Sequence, residues 1–168
     1  MVLCRPEMPD DRAAIAAVVA AAFGQDEVAE LIDALRDAAA LAISLVAEHD
    51  GEIVGHIAFS PATIETDASI DHALILAPLA VAPNHQRRGI GSELVRAGLQ
   101  ACRQTEHRLA FVLGDPAYYH RFGFILAEPR GLIWEHGGAQ AFQVQGLHGD
   151  VPCYSRGIVR LHAAFAGV

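Results

Sequence analysis

The densest concentration of potential chemistry in the chain is the run Gln86-Arg87-Arg88-Gly89-Ile90-Gly91-Ser92. It follows an apolar stretch ending at Ala82-Pro83 and opens a segment in which Ile90, Leu94, Ala97 and Ala101 recur at helical spacing. A helix N-terminus presents unpaired amide donors and a partial positive charge, and glycines let an anion approach the backbone closely. Residues 86–92 therefore read as a cradle for a diphosphate, with Arg87 and Arg88 as added cationic donors. Arg96 and Arg103, seven apart, share another face of the same helix. The run also fits a plainer role, a tight turn with a solvated cap. A dinucleotide-binding fingerprint is excluded, because its third glycine would fall at Leu94.

The elements that must position this turn follow from patterning. A short strand at 2–5 precedes Pro9-Asp10-Asp11, capping residues for a helix carrying Ile15, Val18, Val19 and Ala22 and ended by Gly24. Val28, Leu31, Ile32 and Leu35 mark a second helix, acidic on its other face. Strands at 41–48 and 52–60 are joined by His49-Asp50-Gly51, whose Asp-Gly pair suits a hairpin. The polar segment 63–71 reads as a loop, and the apolar segment 72–82 as a central strand. Beyond the helix at Ile90 come a strand at 109–113, an aromatic segment at 118–124, and runs at 142–147 and 157–165 that complete the sheet. The order predicts one α/β domain spanning residues 1–168, without repeats or a linker.

Placed in this context, Gln86-Arg87-Arg88-Gly89-Ile90-Gly91 resembles the coenzyme-binding signature of the GNAT acetyltransferase superfamily: Gln or Arg, two variable residues, Gly, one variable residue, then Gly or Ala. Leu79-Ala80-Val81 precedes it and an amphipathic helix follows. Downstream, Tyr118-Tyr119-His120-Arg121-Phe122-Gly123-Phe124 resembles the family's tyrosine-containing helix ending in Gly-Phe. The resemblance runs from about residue 53 to 124. It implies a GNAT-like α/β fold, a central mixed sheet of about six to seven strands flanked by helices. The fourth and fifth strands, here 74–82 and 109–113, would run parallel and splay apart to admit the pantetheine arm of acetyl-CoA. The residues implied to contact the coenzyme are Leu79, Ala80, Val81, Gln86, Arg87, Arg88, Gly89, Ile90, Gly91 and Ser92.

The activity implied is transfer of acetyl from acetyl-CoA to a primary amine by direct attack in a ternary complex. Tyr119, four residues before Gly123, stands where the family places a tyrosine that hydrogen-bonds the coenzyme sulfur and can protonate the leaving thiolate. An ordinary tyrosine, near pKa 10, is a modest acid toward a thiol near roughly 8.5, so hydrogen bonding is its main expected contribution. Pro78 cannot donate to a ladder and marks either a bulge or a local kink. As a bulge, it frees main-chain groups of Leu79 and Val81 to pair with the amide-rich pantetheine and to polarise the thioester carbonyl.

No residue declares itself as the base. The candidates are His56, in the strand 53–59, and His72, beside Asp71 at the entry to the central strand. That leaves room for an alternative, a catalytically silent acyl-CoA sensor or interaction module. The acceptor, a small-molecule amine or a peptide amine, is not encoded in the motif. Asp26, Glu27, Glu30, Asp33 and Asp37 form either a solvated face or a surface for a cationic acceptor, and Trp134 either lines the acceptor pocket or packs.

Composition sets the bounds. The 168 residues are 52% hydrophobic and 19% charged, ordinary for one compact domain. The net charge of −8 is uneven: residues 1–72 carry 3 Arg against 14 Asp and Glu, a balance of −11, and residues 73–168 carry 9 against 6, a balance of +3. That argues against nucleic acid as a partner. No apolar run reaches the ~18 residues of a membrane span, and the acidic N-terminus does not resemble a secretory signal. Cys4, Cys102 and Cys153 are unpatterned, which fits reduced packing thiols, a cytoplasmic location and no metal site. A monomer and a homodimer are equally compatible with the sequence.

Overall fold

The computed structural model describes residues 1–138 and 140–168. Its strands are β1 (Val2–Pro6), β2 (Ile43–His49), β3 (Glu52–Glu65), β4 (Ile70–Val81), β5 (Leu109–Leu113), β6 (Ile125–Leu126), β7 (Leu132–Trp134), β8 (Phe142–Gly146) and β9 (Gly157–Leu161). Together they form one mixed sheet with the path β1-β2-β3-β4-β5-β8-β6; β9 pairs with β3, and β7 with β9. Seven of the nine strands have five residues or more, and β4 and β5 are parallel.

Helices cover both faces because each strand alternates apolar side chains between them. On one side α3 (Ile90–Arg103) lays Ile90, Leu94, Val95, Leu99 and Cys102 against Ile57, Phe59, Leu74 and Leu76. On the other, α1 (Arg12–Phe23) and α2 (Glu27–Asp37) bury Ile15, Val19 and Ile32 against Val46 and Ala80. A third apolar group, around Ile75, Phe111, Phe142 and Val144, lies under β7 and β9. Among the described residues no helix is long and apolar enough to cross a membrane.

Several boundaries differ from the sequence reading. Residues 63–71 are not a loop: β3 continues to Glu65, β4 begins at Ile70, and only four residues turn between them. The polar residues there alternate with buried Ala62 and Ile64, a period-2 pattern, and β9 pairs with Ala62–Glu65. Leu41 belongs to the packing beneath α2, so β2 starts at Ile43 instead. Residues Pro9–Asp11 form a single 3-10 turn and α1 begins at Arg12; the Asp11 carboxylate accepts the Met8 N–H at 2.7 Å and pairs with Arg5 at 2.7 Å, which holds its pKa low. The segment 157–165 is strand only to Leu161, followed by a 3-10 turn at Ala163–Phe165. One edge of β3 serves two partners in succession, β2 as far as Phe59 and β9 from Ala62, with Pro61 at the changeover.

Candidate active site

Parallel pairing between β4 and β5 spans Leu74–Ala110, Ile75–Phe111 and Leu76–Val112 and then stops. The next β4 residues are Ala77 and Pro78, joined by a cis peptide, and there the register with β3 also shifts: Phe59 faces Leu76 while Ile57 faces Leu79. Pro78 therefore sits at a bulge, as its missing donor suggests. Beyond it β4 keeps β3 on one side and, among the described residues, has no strand on the other. The Val81 carbonyl points to that free edge, where it accepts the Gln86 side-chain amide at 3.0 Å. Alternation places the main-chain groups of Leu79 on the same edge.

The gap opens into a cleft of about 350 Å³. Leu76, Ala77, Pro78 and Leu79 form one wall, and Val112 and Leu113 of β5 another. Phe23 of α1, Val28 and Leu31 of α2, and Phe165 and Val168 near the C-terminal turn close the far side. Among the described lining residues Tyr119 contributes the one hydroxyl, from α4 (Pro116–Tyr119). Burial and the adjacent Tyr118 push its pKa up to about 12, so it keeps its proton at neutral pH and acts as a donor.

A second groove, of about 520 Å³, adjoins the first at Leu79. It is built from the turn before α3, Gln86, Arg87 and Gly89 with His85 beside them, and from Gly91 and Ser92 in the helix's first turn. Arg87 and Gly89 both have left-handed backbones, at φ 61° and 84°. A side chain at Gly89 would meet no atom within 4 Å, so its requirement is conformational. Gly91 differs, since a Cβ there would approach the Tyr118 hydroxyl to 3.0 Å and project toward the groove lining. Arg121, one 3-10 turn further on, lies over the Tyr118 ring at 4.5 Å, donates to the Tyr118 carbonyl at 3.2 Å and also lines the groove. An anion in this groove would face helix-start amides and two guanidinium groups, Arg87 and Arg121.

Of the residues singled out from sequence, Leu79, Val81, Gln86, Arg87, Gly89, Ile90, Gly91 and Ser92 line this groove. Ala80 points the other way, into the packing under α1, and can offer only its backbone. Arg88 lies outside the lining. The two tyrosines part company, Tyr118 facing the groove and Tyr119 the cleft.

The two candidate bases, His56 and His72, do not join them. His56 is fully buried in β3, its Nε2 at 2.8 Å from the Ser44 hydroxyl and its Nδ1 without a partner; burial pushes its pKa down to about 4. It lines neither cavity, and an imidazole that hard to protonate is a poor base. His72 sits at the other end of β4, in a separate cavity of about 500 Å³ with Asp71, Arg108 and Tyr154. Ala77 lies five residues further along the strand, roughly 17 Å away. Trp134 lines a neighbouring cavity with Glu135 and His162 and stacks toward Phe142. The sequence reading missed Arg121, whose signal was its place three residues after Tyr118. It also missed the walls at Phe23, Leu31 and Phe165, which carry no motif.

Parted parallel strands, a glycine-bearing helix start and a tyrosine in the gap are the features implied by the sequence resemblance to the acetyltransferase superfamily. A family model described as an acetyltransferase (GNAT) domain matches residues 4–127, and the chain belongs to that family. It is 36% identical to YhbS of Escherichia coli K12, named as an uncharacterized N-acetyltransferase, over 97% of this chain and 98% of that protein. The crystal structure of E. coli YhbS in complex with CoA aligns with a TM-score of 0.85 and 33% identity over 98% of this chain and 91% of that one. A GNAT family acetyltransferase from Brucella melitensis in complex with acetyl-CoA aligns with a TM-score of 0.81 and 39% identity over 98% of both chains.

Proposed function

We propose that this chain binds acetyl-CoA along the free edge of β4 and transfers its acetyl group directly to a primary amine. The observation that carries this reading is the end of β4–β5 pairing at Leu76 and Val112, flanked by the 86–92 turn on one side and Tyr119 on the other. Acetyl-CoA and CoA in the two similar structures support it. Arg87, Arg121 and the amides opening α3 would hold the diphosphate, and the Leu79 and Val81 main chain would pair with the pantetheine amides.

In the transfer, the amine nitrogen attacks the thioester carbon, and a free amide of β4 stabilises the oxyanion. Collapse breaks the C–S bond, and the proton that the attacking nitrogen sheds passes through water to the departing thiolate, giving the amide and the free thiol. Tyr119, with a pKa of about 12, donates a hydrogen bond to the departing sulfur; full proton transfer to a thiolate near roughly 8.5 is uphill. The free thiols fit a reducing compartment such as the cytoplasm. Titration calorimetry with acetyl-CoA tests the core of the proposal: saturable binding is expected, and none at millimolar ligand with folded protein would overturn it.

A second reading, a silent acyl-CoA sensor, is favoured by one observation: Tyr119 is the sole ionisable side chain among the described residues lining the acyl cleft. An enzyme releases free thiol from acetyl-CoA on addition of an amine, and a sensor does not.

A further inference from the structure

The cleft's missing base carries information about the acceptor. The reasoning rests on the cleft being the acyl-transfer site. Apart from Tyr119, its described lining is Phe, Val, Leu, Ala and Pro, and three of the protein's exposed large apolar residues, Phe23, Leu113 and Val168, belong to its walls. Among the described residues no side-chain carboxylate lines it. The nearby ionisable side chains are engaged or exposed. At α2, Asp33 is held by Arg12 at 2.9 Å and by Arg36 at 2.5 Å, and Asp26, Glu27 and Glu30 are exposed. Asp37 faces Arg12 at 3.5 Å, and Glu7 pairs with Arg36 at 2.8 Å. Beside α4, Asp115 accepts the Ala117 amide, and before the C-terminal turn His162 accepts the Ala164 amide. Asp71 and His72 lie at the far end of β4.

An ammonium group entering such a cleft loses its hydration with nothing to replace it, and only the neutral amine can attack. With no side-chain base among the described lining residues to remove the proton, the acceptor sheds it to water beforehand. At pH 7.5 an α-amine of pKa near 8 is neutral in roughly a quarter of molecules, and a lysine-type amine near 10.4 in roughly 0.1%.

We propose that the acceptor is a weakly basic amine on a compact apolar body, such as the α-amine of an apolar amino-acid amide, and that it enters already neutral. The acidic face of α2 is then a solvated, arginine-paired surface and holds no polycation.

The test is thiol release from acetyl-CoA at pH 7.5 with four acceptors: leucinamide, phenylalaninamide, Nα-acetyl-lysinamide and spermidine. The two apolar amides should show kcat/KM at least tenfold above the other two, even after the greater nucleophilicity of the more basic amines. For leucinamide, kcat/KM should rise with pH up to the amine's own pKa and then level, and Tyr119→Phe should leave that limb in place. Phe23→Glu, at an exposed wall position, should lower the phenylalaninamide rate and raise that of spermidine. Spermidine or the lysine derivative matching the apolar amides would overturn the inference, as would a limb that ignores acceptor pKa. Calorimetric binding of acetyl-CoA with no turnover of either apolar amide would also overturn it and leave the coenzyme site standing; absence of acetyl-CoA binding would sink the underlying functional reading.

Discussion

The two halves of β4 have nearly the same apolar composition and opposite uses. From Ala73 to Leu76 the strand is flanked by β3 and, from Leu74, by β5 as well, and its side chains are buried. From Leu79 to Val81 it keeps β3 alone, and its other edge borders the groove and the cleft. Hydrophobicity does not separate the halves; Pro78 does, by removing a donor where the ladder would continue. A binding edge can thus be made inside a sheet by interrupting pairing, without polar side chains.

The comparison breaks most directly through Leu74→Ala. This fully buried side chain belongs to the paired half, and its loss should cost about 2–5 kcal/mol of stability in urea unfolding, with acetyl-CoA affinity of the folded protein unchanged. A comparable loss of affinity would mean that the halves are not separable.

Next in size is an acid effect beneath the open half, where His56 lies opposite Ala80. Unfolded histidine takes up a proton near 6.5, whereas buried His56 resists until about 4. Its contribution is therefore complete above pH 6.5 and is lost as pH falls toward 4, by about 3 kcal/mol. Unfolding free energies measured across that window should fall steeply for the wild type and more shallowly for His56→Gln.

Tyr119→Phe removes the one hydroxyl of the cleft. It should lower kcat about 10- to 100-fold, or about 1.4–2.7 kcal/mol of barrier, with acetyl-CoA affinity within twofold. Equal turnover in steady-state assays would remove Tyr119 from the chemistry. The smallest effect is reserved for the groove: Gly91→Val crowds the Tyr118 hydroxyl and should weaken acetyl-CoA binding about tenfold by calorimetry, near 1.4 kcal/mol, with little change in melting temperature. Gly89 is a poorer probe, because any side chain there strains a left-handed backbone whether or not ligand is bound.

Local signals made much of this legible. Helical spacing located α2 and α3, Gly24 the end of α1, and Pro78 the interruption in β4. The groove was readable because its residues are contiguous in sequence, so 86–92 carried its own chemistry. The cleft was not, because its walls come from α1, α2, β4, β5 and the C-terminal turn, brought together only by packing. Residues 63–65 were mistaken for loop because their strand partner, β9, lies about a hundred residues downstream. The histidines misled for a related reason: sequence gives residue type, and burial of His56 and the distance of His72 from Ala77 are tertiary facts.

The double pairing of β3 has a mechanical consequence. Clamped along one edge by β4 and along the other by β2 and then β9, it serves as the keel of the sheet, and Pro61 falls where the two clamps meet and no amide is needed. The slit between β4 and β5 lies to one side of that keel, held shut by three residue pairs only. A guest prying it wider loads β5 and leaves the β3 plate stiff, so amide protons at Ile57 and Phe59 should exchange with solvent only when the whole protein unfolds, and those linking β5 to β4 through local opening.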